Sequence, residues 1–159
     1  MSKHEEKTNV MRALDSKKVK YISHSYIDTP TTNGEEVAKI LGQNPADVFK
    51  TLVTISKSGT NYVFVIPVAK ELDLKKAAKA AGEKSIEMLK SKELLPLTGY
   101  VHGGCSPIGM KKPFKTFIDK SAAEREVIIF SAGKIGYQVE LTLPALAKVI
   151  DYSLEDLTA

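Results

Sequence analysis

The sequence predicts an α+β fold, with a mixed, barrel-like β-sheet surrounded by helices. Three observations predict it. Strand-like runs outnumber helical ones, and several come in hairpin-like pairs. The helical stretches are short and amphipathic, and most carry capping residues. No repeat, low-complexity linker or break in composition divides the chain, so residues 1–159 are expected to form one domain.

The elements follow in order. Residues 5–18 place Val10, Met11 and Leu14 among charges, with Thr8 or Asn9 near the start, which predicts an amphipathic helix. Residues 19–27 alternate and predict a strand. In "TPTTNGEEVAKILG", Thr32 or Asn33 caps a helix carrying Val37, Ile40 and Leu41, and Gly42 ends it. Asn44 and Pro45 open one or two helical turns. Residues 50–56 and 61–67 are β-rich and are joined by Lys57-Ser58-Gly59-Thr60, a hairpin signal. Asp73 caps LKKAAKAA, and Gly82 closes it. A short strand is expected over 85–89, then a helical turn in SKELL that Pro96 ends. Strands follow at 114–118, 126–131 and 137–141. Ser121 and Glu124 have capping-box spacing before a short helix, and Thr142 caps a last helix over 143–150.

Composition excludes several classes. Hydrophobic residues make up 43% and charged residues 26% of the 159-residue chain, ordinary proportions for a globular protein. No apolar run reaches membrane-spanning length, and the N-terminus lacks the apolar core of a secretory signal. The single cysteine cannot form an internal disulfide, which suits a reducing cytoplasm. His4, His24 and His102 have no ligand-like spacing, so neither a metal nor a cofactor is expected. The net charge of +4 is compatible with RNA but does not require it. Lys75, Lys76 and Lys79, on roughly one helix face, suit either a solvated surface or phosphate contact.

The most distinctive stretch is "GGCSPIG", residues 103–109. It lacks the spacing of a nucleotide-binding loop. Cys105 has His102, Lys111 and Lys112 nearby, a setting for a nucleophilic thiolate, yet a small apolar side chain in a tight loop explains it equally. Gly103 and Gly104 permit close backbone approach to a ligand, or simply a bend, and Ser106-Pro107-Ile108-Gly109 stiffens either one. Lys50, where a short helix meets a strand, suits a cleft cation or a solvated side chain.

Four stretches, "VFKTLV" (48–53), "PVAKELDLKKAAKAAG" (67–82), "GYVHGGCSPIGMKK" (99–112) and "FSAGKIGYQVEL" (130–141), carry a resemblance across nearly the whole chain. In this order and spacing the sequence resembles the YbaK/EbsC family of free-standing aminoacyl-tRNA deacylases, relatives of the prolyl-tRNA synthetase editing domain. The resemblance implies hydrolysis of mischarged tRNA, typically cysteine on tRNA(Pro), through attack by the substrate's own thiol. It implies catalytic roles for Lys50, Gly103 and Gly104. It implies substrate contacts from Tyr26, Ser106, Pro107, Ser131 and Gln138, with Cys105 no nucleophile. Aminoacyl-tRNA is the implied partner, with prolyl-tRNA synthetase a further one. Two departures bear on specificity. Gln138 stands where the bacterial cysteine deacylases usually carry aspartate, and an aromatic residue near Thr32 and Asn33 is absent. A deacylase for another small amino acid, such as alanine, and a non-catalytic tRNA- or synthetase-binding module are the alternatives.

Overall fold

The computed structural model describes residues 7–29 and 31–159; His4 lies outside them. Their α+β fold has two sheets. One has the order β1-β7-β6, the other β4-β2-β3-β5-β8. The strands are β1 (Ile22–Ser25), β2 (Phe49–Ser56), β3 (Asn61–Pro67), β4 (Ile86–Met88), β5 (Lys115–Asp119), β6 (Ile128–Ser131), β7 (Tyr137–Leu141) and β8 (Ser153–Glu155). The helices are α1 (Asn9–Ser16), α2 (Gly34–Leu41), α3 (Leu74–Ala81), α4 (Ser91–Thr98) and α5 (Leu143–Leu146). The described strands form no closed barrel. A parallel bridge between Val48 and Ile129 is the strand-type contact that joins the sheets.

Side-chain chemistry fixes most helix starts. The side chains of Thr8, Asn33, Asp73 and Thr142 accept backbone N–H bonds at the starts of α1, α2, α3 and α5. Asn44 does the same for a 3-10 turn over Pro45–Asp47. The β2–β3 hairpin is antiparallel from Phe49↔Pro67 to Ile55↔Asn61. β3 pairs β5, and β5 pairs β8, in parallel.

Several expectations are corrected. The first strand covers Ile22–Ser25 rather than 19–27, because Val19 turns into the core beside α1. Pro96 lies inside α4 and does not end it. One N–H bond is lost, and the helix continues until the Gly99 amide donates to Leu95 O at 2.8 Å. The helix at Lys120–Glu124 is 3-10, and Asp119, not Ser121, caps it. α5 stops at Leu146, and β8 was not foreseen.

Strand alternation gives the five-stranded sheet two buried faces. Val53, Val63, Val65 and Ile118 meet α1 and the other sheet's Phe130, Val139 and Leu141. Tyr62, Phe64, Ile66 and Phe117 face Ala77 and Ala78 of α3. A smaller cluster of Ala38, Val48, Val68 and Ile129 holds α2 against the inter-sheet bridge. Phe64 is fully buried and stacks on Phe117 with centroids 5.3 Å apart. Phe64→Ala is expected to lower unfolding free energy by about 3–5 kcal/mol in denaturant titration.

Candidate functional site

A cavity of about 380 Å³ opens where the two sheets part. Its origin lies in strand pairing. β4 covers β2 at Thr54–Ser56, and Leu89 N donates to Val53 O at 3.1 Å. The start of β2 therefore leaves an unpaired edge beside the cavity. The other walls come from the segment after β1, the starts of α2 and α4, the glycine loop, and the ends of β6 and β7.

Five of the eight sequence-predicted residues line this cavity: Tyr26, Lys50, Gly103, Ser131 and Gln138. They come from five separate stretches of chain. Tyr26 is 7% exposed and is held by its amide, which donates to Gly136 O at 2.7 Å. Ser131 Oγ accepts from the Gly133 amide at 3.1 Å. The Lys50 side chain is one-third exposed, and its ammonium lies 4.0 Å from Glu71 Oε2. Glu71 is largely solvated, so this pair is worth no more than about 1 kcal/mol and leaves the cation available.

The other three residues lie elsewhere. The Gly104 amide donates to Val101 O at 3.0 Å, closing a turn in which Gly103 has φ +89°, the glycine position of a type II turn. A Cβ on Gly104 would sit 3.1 Å from Ile135 N, so this glycine lets two loops touch and does not face a ligand. Ser106 is fully buried, and its Oγ accepts from the Ile108 amide at 3.3 Å. Pro107 borders a different cavity, together with residues 112–116 and 149–153. All three were implied by the family resemblance. The turn sends the chain away from the cavity after Cys105.

The glycine loop is tied down from below. The Tyr100 hydroxyl donates to Ile108 O at 2.5 Å and accepts from Asn9 Nδ2 at 3.0 Å. Cβ atoms at Gly109 and Gly133 would approach this pair within 2.8 and 2.9 Å. The described loop amides of Gly103 and Cys105 have no protein acceptor.

Two further residues escaped the sequence. Gln43 Nε2 donates to Gln138 Oε1 at 2.8 Å, while Gln43 Oε1 is buried without a partner. Gln43 reaches that position because its amide turns back onto Ala38 O past the glycine that ends α2. Nothing in the sequence signals a pairing across 95 positions. Thr51, in the cavity wall, also has a buried, unpartnered hydroxyl. The described residues contain no cluster of three or more His, Cys, Asp or Glu side chains able to hold a metal. None of the described helices is long and apolar enough to cross a membrane.

Fold and cavity together define an α+β scaffold with a part-enclosed pocket of small-molecule size. The sequence profile of the aminoacyl-tRNA editing domain matches residues 28–149, and the chain belongs to that family. A protein from Enterococcus faecalis with the provisional name Cys-tRNA(Pro)/Cys-tRNA(Cys) deacylase EbsC is 43% identical over 157 residues, 98% of this chain and 96% of that one. The solved structure of the hypothetical protein APE2540 shares the fold with a TM-score of 0.85 at 22% identity, covering 94% of this chain and 99% of its own. A structure described, again provisionally, as a trans-editing enzyme for prolyl-tRNA synthetase gives 0.81 at 24%, covering 94% of each chain.

Cys105 also lines the cavity and is 8% exposed. Burial pushes its thiol from the ordinary 9.0 up to about 12, so at neutral pH it carries its proton and is a poor nucleophile. Because the folded state holds that proton more tightly than the unfolded one, the thiol's contribution to stability is complete below pH 9 and is lost as pH rises toward 12. Iodoacetamide labelling of the native protein is expected to be negligible at pH 7.5. Rapid labelling at that pH, or loss of activity in Cys105→Ala, would restore the thiolate reading.

Proposed function

We propose that this protein hydrolyses mischarged aminoacyl-tRNA, cysteine on tRNA(Pro) foremost, as a free-standing editing domain spanning residues 1–159. The observation that carries the reading is the convergence of Tyr26, Lys50, Gly103, Ser131 and Gln138 on one cavity. The family membership and the name of the Enterococcus relative support it. The cavity is of a size that suits an aminoacyl group and part of the terminal nucleoside. The tRNA body stays outside, in solvent. Aminoacyl-tRNA places the work in the cytoplasm, and prolyl-tRNA synthetase is a partner that would lend selectivity for the tRNA.

An aminoacyl ester develops negative charge on its carbonyl oxygen as it is attacked. Fixed donors at that position lower the barrier, and one such donor is worth about 10²–10³ in rate. The amides of Gly103 and Cys105 serve this role, since the Gly104 amide is spent within its turn. The Lys50 ammonium balances charge on the ribose side or on the terminal phosphate. Ser131 and the Gln138 carboxamide supply neutral hydrogen-bonding groups to the aminoacyl part. No acidic side chain among the described residues lines the cavity, and Cys105 stays protonated. The substrate cysteine's own thiol does the attacking. Its sulfur bonds to the carbonyl carbon, the ribose oxygen leaves, and the thiol proton ends on that oxygen. Holding thiol and ester together supplies the rate: well-oriented intramolecular reactions gain about 7–11 kcal/mol.

The reading is tested with a panel of charged tRNAs. Release of cysteine from tRNA(Pro) faster than release of alanine or proline is expected. Release of alanine but not cysteine would overturn the thiol mechanism. Lys50→Ala is expected to lower deacylation about a hundredfold while shifting unfolding free energy by less than about 1 kcal/mol. Unchanged turnover in that variant would favour a binding module without catalysis.

A further inference from the structure

The thiol-assisted reaction moves a proton from sulfur to the ribose oxygen, two atoms bonded to one carbon in the tetrahedral intermediate, and direct transfer closes a strained four-membered ring mismatched to a linear proton transfer. A group that takes the proton and returns it removes that mismatch. The described side chains lining the cavity offer four titratable groups: Tyr26, Lys50, His102 and Cys105. A phenol and an ammonium by type keep their protons at neutral pH. Cys105 keeps its proton because it is buried. Imidazole is the side-chain type that both accepts and gives up a proton near neutrality.

The position of His102 suits that task. It is the second residue of the Val101–Gly104 turn and directly precedes Gly103, whose amide faces the carbonyl in the reading above. Its ring is solvent-accessible and makes no hydrogen bond or ion pair to any described residue. By contrast, His24 is bound to Glu140 at 2.8 Å and lies outside the cavity lining.

We propose that His102 is the proton-exchanging residue of this cavity, an assignment that rests on the thiol-assisted reading. The neutral imidazole accepts the substrate's S–H proton as the carbon–sulfur bond forms. The resulting imidazolium donates it to the ribose oxygen as the ester carbon–oxygen bond breaks. The products are a cyclic thioester of cysteine, which water then opens, and tRNA with its free hydroxyl. No proton is gained or lost overall. The titratable groups that share the cavity lining with the imidazole are Tyr26 from the segment after β1, Lys50 from β2 and Cys105 from its own loop. The walls from α4, β6 and β7 contribute Ser91, Ser131 and Gln138, which do not titrate.

The test compares wild type and His102→Gln on cysteinyl-tRNA(Pro) across pH 5.5–9. A base works only in its neutral form, so wild-type kcat is expected to fall on the acid side. In the variant, kcat at pH 7 is expected to drop about a hundredfold, with KM within about threefold and the acid limb flattened. The substrate's α-amino group titrates in the same range and is present in both proteins, so only the component that disappears belongs to the imidazole. Equal thermal unfolding of the two proteins shows that the exposed substitution leaves the fold intact. A kcat within about twofold of wild type, an unchanged pH profile, or an effect confined to KM would each overturn the assignment. Wild-type protein inactive on every charged tRNA would instead overturn the deacylase reading, and His102's role with it.

Discussion

The Tyr100 hydroxyl holds the site together. It is buried, donates to the carbonyl of Ile108 and accepts from Asn9 at the start of α1. One phenol thus joins the first described helix to the far end of the glycine loop. Desolvation raises its pKa, which keeps it a neutral donor. A buried carbonyl robbed of its donor costs about 1–3 kcal/mol, so the bond is dear to lose even where it adds little net stability. Gly109 and Gly133 have no side chain because the Tyr100–Asn9 pair occupies that space. The same clamp therefore sets the loop after β6, which packs on Gly104 and carries the chain from Ser131 to Gln138.

The electrostatic character of the cavity follows from what it lacks. Its described wall has one ammonium and no carboxylate, and its amide and hydroxyl groups are neutral. Such a wall suits a substrate that brings phosphate and ester oxygen, and it places no anion beside the developing oxyanion. The Gln43–Gln138 pair fits this pattern. A carboxylate at position 138 would bind an ammonium strongly, but it would also add negative charge near the reacting carbonyl. The carboxamide, buried and fixed by Gln43, offers hydrogen bonding without that charge. In the proposed reading, selectivity at this end of the cavity would therefore rest on shape and hydrogen-bond geometry more than on ion pairing.

Local signals carried the fold, and longer-range ones did not. Thr8, Asn33, Asn44, Asp73 and Thr142 cap within three residues of themselves, so their helix starts were legible. The β2–β3 hairpin was legible because its turn and both strands are contiguous. β8 was not, since three residues acquire strand geometry only by pairing in parallel with β5, far away in sequence. The division into two sheets was equally hidden, because it depends on where β4 stops covering β2. In the site, Tyr26, Ser131 and Gln138 were reached through resemblance, and Lys50 was a candidate already from its place between a short helix and a strand. Their separate patterns are those of ordinary strand and loop residues. Gly104, Ser106 and Pro107 were reached through resemblance too, and the hydrogen bond that closes the Val101–Gly104 turn directs the following chain into the protein, away from this cavity.

A buried hydroxyl sets the geometry of the glycine loop, which in the proposed reading holds the ester. Tyr100→Phe removes one oxygen and keeps the ring. Deacylation and unfolding of this variant, measured well below its melting temperature, separate packing from positioning. Tyr100→Phe is expected to fold, to be less stable by about 1–3 kcal/mol, and to lose at least tenfold in kcat as the glycine loop loses its anchor. Full kcat with unaltered stability would contradict it.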